Sequence, residues 1–322
     1  MSAARVAGTA LGVAAAAGVA AFAWGSLVER NRFTLRYEVV PILAPGSRPI
    51  TVLHLSDLHM APWQRAKQEW LTSLRTIVEP DLVIDTGDNL GHRDGLDGVR
   101  AALDVFRGVP GVFVHGSNDY YGPEFKNPFK YFAGPSGRPD KSTTLDTAAL
   151  ESFFEDDLGW LNLNNRARAI ELRGSRLEFF GVNDAHRRWD RLDRLPGLIE
   201  ELRENVGWQD EVTGPAPVAI GVTHAPYRRV LDSFVTHGAD LIVAGHTHGG
   251  QVRIPGRPAL VTNCDIPPEQ AQGLSLWRYA RRTAYLNVSA GIGTSIFAPV
   301  RFACPPEAVV LTLVGGDEPD SW

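Results

Sequence analysis

Residues Asp240-Leu241-Ile242-Val243-Ala244-Gly245-His246-Thr247-His248-Gly249-Gly250 decide how this chain is read. A short unbroken apolar run leads into two histidines one residue apart, flanked by three glycines. The run has the length and the branched residues of a buried strand. The glycines let the backbone bend tightly enough for both imidazoles to face one point. Packing gives no reason to put two polar rings there, so the question is what meets them.

Working outward, other apolar runs end in the same way. Residues 50–56 read as a strand ending in Asp57-Leu58-His59. Leu82-Val83-Ile84 ends in Asp85-Thr86-Gly87-Asp88-Asn89, and residues 111–114 end in Gly116-Ser117-Asn118-Asp119. Residues 217–222 lead to Thr223-His224. Between the early strands, Trp70, Leu71, Leu74, Ile77 and Val78 fall at helical spacing before Pro80, and residues 97–106 form a second amphipathic helix. Alternating strands and helices predict a parallel α/β sheet, whose ligands collect at the C-terminal strand ends. Further on, helices are expected over residues 150–158, 198–205 and 228–236. Strands are expected over 168–172 and 177–182, joined at Gly174-Ser175, and over 284–288 and 309–313. There is no internal repeat.

Asp57, His59, Asp88, Asn118, His224, His246 and His248 are thus seven candidate ligands on five strand ends. Buried carboxylates and imidazoles need a cation to be stable together. Seven are too many for one ion and suit two ions sharing a carboxylate, at the ~3.5–4 Å spacing of two-metal hydrolases. A mixed N/O set fits Mn, Fe, Zn or Ni, and no cysteine is near enough for a thiolate site. Each motif alone has a bland reading: a helix cap, a turn, a core histidine. All five in this order leave that reading little room.

The order Asp-x-His, Gly-Asp, Gly-Ser-Asn-Asp, His, Gly-His-x-His resembles the calcineurin-like metallophosphoesterase superfamily over about residues 48–314. Gly291-Ile292-Gly293-Thr294, Pro299-Val300-Arg301-Phe302 and Pro306-Glu307 further resemble its membrane-anchored bacterial branch. The resemblance implies an α/β four-layer α-β-β-α sandwich of two mixed sheets flanked by helices. It implies one cation held by Asp57, His59, His248 and a bridging Asp88, and a second held by Asp88, Asn118, His224 and His246. It implies phosphohydrolysis in which water activated by both ions attacks phosphorus in line, with Asp85, Asn89 and Ser117 supporting the ligands. One motif departs: the family has Gly-Asn-His-Asp where this chain has Gly116-Ser117-Asn118-Asp119. Asn118 is preferred over Ser117 as ligand, because an amide oxygen is the better neutral donor. The family's transition-state histidine is missing, and Asp119, His115 or His92 is left to substitute. The loss of a positioned acid typically costs ~10²–10⁴-fold, so a catalytically weak metal-binding scaffold is one alternative reading. A nucleotide phosphodiesterase is another.

Hydrophobic content of 44% and charged content of 21% are those of a globular protein, and a net charge of −5 carries no footprint for nucleic acid. Cys264 and Cys304 read as unrelated thiols. Residues 7–28 hold no charge, and at ~1.5 Å per residue a helix there would cross a bilayer core. An uncleaved anchor at the cell membrane is the first reading, a cleaved signal segment the second and a buried helix the third. Flanking charge leaves the side of the membrane open. Residues 1–35 are read as anchor and linker, and 36–322 as one phosphoesterase domain with no obligate protein partner. An aromatic loop, Gly122–Asp140, with Tyr120, Tyr121, Phe125, Phe129, Tyr131 and Phe132 in or beside it, suggests cover for an amphiphile. The substrate expected is a lipid-linked or sugar-nucleotide phosphate.

Overall fold

The computed structural model describes residues 3–123, 143–208 and 216–316 of the chain. Helix α1 (Ala3–Ala23) leads to β1 (Thr34–Leu43), β2 (Ile50–Leu55), α2 (Arg65–Val78), β3 (Leu82–Asp85), α3 (Leu96–Leu103) and β4 (Gly111–Phe113). There follow α4 (Thr147–Ser152), β5 (Leu161–Asn162), β6 (Arg166–Leu172), β7 (Ser175–Gly181) and α5 (Leu195–Val206). The chain ends with β8 (Val218–Thr223), α6 (Arg228–Thr236), β9 (Leu241–Ala244), β10 (Gly273–Tyr279), β11 (Arg282–Val288) and β12 (Glu307–Gly315).

The strands form two six-stranded sheets, ordered β1-β12-β2-β3-β4-β5 and β10-β11-β9-β8-β7-β6. Both are mixed: β2, β3, β4 and β5 run parallel, as do β7, β8, β9 and β11, whereas β12 opposes β2, β6 opposes β7 and β10 opposes β11. Successive side chains point to opposite faces of a strand, and here both faces are covered. Val52, Ile84, Val112, Phe179, Ile220 and Val243 meet between the sheets. Leu53, Val83 and Phe113 turn outward onto α2, α3 and α4, and Phe180, Ala219 and Ile242 onto α5 and α6. Each inner strand therefore reads as a continuous apolar run, and the layers are helix, sheet, sheet, helix.

Several elements differ from the expectation. The helix expected over 97–106 stops at Leu103 and finishes as a tight turn, Asp104–Phe106. The β6–β7 hairpin turns on Arg173-Gly174, both with positive φ, so Ser175 already belongs to β7. Strands β1, β5 and β10 were not expected. They sit at or beside sheet edges, and β1 carries Pro41 at a register shift, which an edge strand tolerates. The apolar segment Gly12–Asn31 is long and apolar enough to cross a membrane, and its apolar window is only 11% buried, so it is no core helix. Most of the Gly122–Asp140 loop lies outside the described residues.

Candidate metal centre

The parallel strands of both sheets end on one side of the molecule, and all seven expected ligands are there. Asp57 and His59 follow β2, Asp88 follows β3 and Asn118 follows β4. His224 follows β8, and His246 and His248 follow β9. The first four come from one sheet and the last three from the other.

Getting seven polar groups to one point requires unusual backbone. Asp57, His59, Asp88, His246 and His248 all adopt positive φ, between 41° and 68°. Non-glycine residues hold such angles at roughly 1–3 kcal/mol each, so they persist only where the surroundings enforce them. Two glycines make the close approach possible. A Cβ on Gly245 would strike Ser56 and Asp57, and one on Gly116 would strike Asp88.

The distances define two adjoining clusters. His59 Nε2 and His248 Nε2 are 3.2 Å apart, with Asp57 Oδ1 3.4 Å from the latter. His224 Nε2 and His246 Nδ1 are 3.3 Å apart, with Asp88 Oδ2 3.3 Å from the former. Asp88 Oδ2 also lies 3.6 Å from His59 Nε2 and accepts from Asn118 Nδ2 at 2.6 Å, so this oxygen is common to both clusters.

The tautomers follow from what the outer nitrogens do. His224 Nδ1 donates to the Thr86 carbonyl at 2.8 Å and His246 Nε2 to that of Asn263 at 3.2 Å. His248 is hydrogen-bonded to the Gly293 carbonyl. In neutral rings the inner nitrogens of His246 and His248 are then lone pairs, whereas His59 Nδ1 is buried without a hydrogen bond. Burial drives His59 down to about 4 and His248, with Arg301 adding to the effect, to about 3. Burial, then His186 and His224, holds His246 well below the usual imidazole range. Burial raises the Asp57 carboxyl, whose Oδ1 is enclosed without a hydrogen bond. His224 goes the other way: against burial, Asp88 holds it well above the usual range, and it keeps Asp88 well below. His224 Nε2–H faces Asp88 and His246, whereas Asp57 Oδ1 and the inner nitrogens of His59 and His248 crowd together with no hydrogen-bond donor beyond those two rings among the described residues. A cation there would satisfy them, and backbone carbonyls on the outer ring nitrogens are the usual support for such ligands.

The supporting residues expected from sequence divide. Asp85 and Asn89 brace the β3 turn: Asp85 Oδ1 accepts from Gly87 N at 2.9 Å and Asn89 Nδ2 at 2.8 Å. Ser117 opens the turn after β4 and accepts through its carbonyl from Tyr121 N at 3.0 Å. Asp119, expected beside the reacting phosphate, faces backbone instead. Its oxygens accept from the amides of Asp88, Asn89, Leu90 and Gly116 at 2.7–3.2 Å. His115 lies behind it, 3.6 Å from Asp119 and 3.1 Å from Glu151, and His92 turns to Asp94 and Trp63.

Sequence reasoning missed Asp184 and His186. The His186 ring lies 4.7 Å from that of His246, is partly exposed and is bonded to the Tyr227 hydroxyl at 2.9 Å. Asp184 accepts from His186 N at 2.9 Å, and its other oxygen is buried without a hydrogen bond. Burial, with Asp88 adding, pushes its carboxyl up to about 7. The signal was available: Asn183-Asp184-Ala185-His186 also follows an apolar run, and β7 is another parallel strand.

The family model described as calcineurin-like phosphoesterase matches residues 50–250, from the start of β2 to the last glycine after His248. The uncharacterized protein YpbG of Bacillus subtilis (strain 168) is 27% identical over 283 residues, 84% of this chain and 83% of its own. The uncharacterized metallophosphoesterase YkuE of the same organism is 22% identical over 294 residues, 89% of this chain and 86% of its own. A transmembrane protein with metallophosphoesterase domain from Bos taurus is 24% identical over 218 residues, 66% of this chain and 44% of that one. The matched span carries every residue of the two facing clusters, and the chain belongs to the calcineurin-like phosphoesterase family.

Proposed function

We propose that the chain hydrolyses phosphoester or phosphoanhydride bonds with two divalent cations, Mn, Fe, Zn or Ni, in these clusters. The observation that carries this reading is the close approach of two imidazole pairs, their inner nitrogens 3.2 Å and 3.3 Å apart, around one shared carboxylate oxygen. Asp57, His59, His248 and Asp88 would hold one ion, and Asp88, Asn118, His224 and His246 the other. Asn118 presents its amide to Asp88, and turning Oδ1 inward makes it a ligand; amide nitrogen and oxygen are assigned by context. Bound there, the ions would supply Lewis acidity toward phosphate oxygens and a nucleophile at neutral pH.

The protein's own contribution is charge balance and placement. Two carboxylates against two divalent ions leave the centre positive, which attracts an anionic phosphate and offsets charge as it develops. His186, beside His246 and partly open to solvent, would be the imidazole that donates a hydrogen bond to the substrate in place of the one that the Gly116–Asp119 turn lacks. It argues against the reading as an inert scaffold. The apolar segment Gly12–Asn31 supports an anchor that holds the centre near a bilayer, and hence a membrane-associated lipid or sugar-nucleotide phosphate as substrate.

The test is hydrolysis of an aryl phosphodiester by purified protein loaded with Mn²⁺ or Zn²⁺, beside Asp88→Ala and His186→Ala. Metal-dependent turnover is expected, lost in Asp88→Ala and lowered about 10²-fold in His186→Ala. Turnover that survives Asp88→Ala would refute the reading. Bound metal with no turnover on any phosphoester would return it to a scaffold.

A further inference from the structure

A cavity of about 530 Å³ lies at the foot of the apolar N-terminal segment, where the Glu29–Asn31 turn meets the start of α2 and the loop after Ile292. No candidate metal ligand lines it. Its charged lining is of one sign: Arg30, Arg65 and Lys67, with no carboxylate among the lining residues. Lys67 is only 5% exposed, and Nζ donates to the Leu58 carbonyl at 2.6 Å and to Gln64 Oε1 at 2.9 Å, both neutral. Arg30 Nε is buried with no hydrogen-bond partner. Behind them, Arg301 is fully buried, and its guanidinium donates to the carbonyls of Ala290, Gly291, Gly293 and Cys304.

Buried cations are normally paired, because desolvation without a counter-charge is costly. None of Arg30, Arg65 and Lys67 has an ion pair among the described residues. Burial, with Arg301 and Arg30 adding, pushes Lys67 down to about 7, in keeping with a missing anion. The remaining walls set Asn31, Gln64 and Thr294 beside apolar Phe33, Ile292, Ile296 and Pro299, with Trp63, 61% exposed, at the rim. Leu27 and Val28, just before the turn, are 70% and 40% exposed.

We infer that this cavity binds the phosphate group of an anionic amphiphile, with Arg30, Arg65 and Lys67 as its cationic floor and the apolar rim beside the N-terminal helix holding its chains. It is a site separate from the metal centre, which lies across the Asp57–His59 turn: Lys67 holds the Leu58 carbonyl, and Gly293 N donates to the Asp57 carbonyl at 2.6 Å. The reading of the helix as an anchor bears only on where the ligand comes from. The cation cluster stands without it.

The test is calorimetric binding of short-chain dihexanoyl phosphatidylglycerol to the full chain in neutral detergent, with dihexanoyl phosphatidylcholine and inorganic phosphate as the other probes. Phosphatidylglycerol is expected to bind and phosphatidylcholine to bind at least tenfold more weakly. Loss of a charge-assisted contact weakens binding by about tenfold or more. That loss is expected in Arg30→Gln and in the exposed Arg65→Gln, with circular dichroism unchanged. Asp88→Ala, which removes the metal centre, is expected to bind as the parent does. Binding lost in Asp88→Ala but kept in both arginine variants would place the lipid at the metals and overturn the proposal. Inorganic phosphate binding as tightly as the lipid would overturn the amphiphile and leave a free-phosphate site. Equal binding of both lipids would overturn the anion floor.

Discussion

At the residue scale, Asp119 and His115, two of the residues left to substitute for the family's histidine, have other work. Asp119 gathers four backbone amides from the β3 and β4 turns and so fixes where Asp88 and Asn118 stand. His115, fully buried, is held between Asp119 and Glu151. Burial would lower its pKa, but the two carboxylates win and push it up to about 9. A group whose pKa rises on folding adds stability that is complete below its unfolded value, ~6.5, and is lost as pH rises through the folded one. Glu151, held low by His115, loses its share only on acidification below the usual glutamate range, outside this window. His224, also held high, acts in the same sense in metal-free protein and Lys67, lowered to about 7, in the opposite one, so the expected result is a difference: between pH 6.5 and pH 9.5 urea unfolding should show the parent losing stability relative to His115→Gln. An equal slope in both proteins would show that the triad carries no linkage.

At the element scale, the N-terminal segment is tied to the loop that supports His248. Glu29 Oε1 accepts from Cys304 N at 2.7 Å, Trp24 Nε1 donates to Glu29 Oε2 at 2.9 Å, and Arg301 N donates to the Gly25 carbonyl at 3.1 Å. A Cβ on Gly25 would strike the Arg301 carbonyl. Arg301 in turn gathers the carbonyls of Ala290, Gly291 and Gly293, the last of which supports the His248 ring. Lysine cannot reproduce that planar fork of donors. Arg301→Lys should cost the centre about 10–100-fold in metal affinity, the usual range for a supporting group. Metal titration read by calorimetry checks it, and unchanged affinity would show that the loop holds itself. This is also the scale at which the sequence was most and least legible. Strands β2, β3, β8 and β9 were plain because burial on both faces makes an unbroken apolar run with a polar end. Strands β1 and β10 were not, because edge positions leave mixed patterns such as Thr34–Leu43, whose Pro41 argues against a strand. The ligands were legible because each stands where such a run stops. Asp184 and His186 stand in the same place, but no neighbouring motif marked them. The carbonyl partners of the rings were beyond reach, since Thr86, Asn263 and Gly293 act through backbone.

At the scale of the whole molecule, the centre lies across the seam between the two sheets. Asp57, His59, Asp88 and Asn118 come from the β1–β5 sheet, and His224, His246 and His248 from the β6–β11 sheet. Each cluster contains ligands from both, so any ion that binds ties one half of the sandwich to the other. The unfolded chain cannot bring these groups together, so binding free energy becomes folding free energy. The five left-handed residues add to the dependence, because without a cation their strain and the crowding of the ring nitrogens must be borne by packing alone. A ligand at a hundredfold excess over its Kd adds about 2.7 kcal/mol. For a domain of this size each kcal/mol moves Tm by about 2–4 °C, so saturating metal should raise it by at least several degrees. Thermal unfolding in chelator and in graded Mn²⁺ or Zn²⁺ measures this. Asp88→Ala, which removes the carboxylate common to both clusters, should lose the metal-dependent part of the shift. A parent Tm indifferent to metal would mean that the sheets close without help from the centre, and that the left-handed turns are held by Asp119, Arg301 and the glycines that crowd against the ligands.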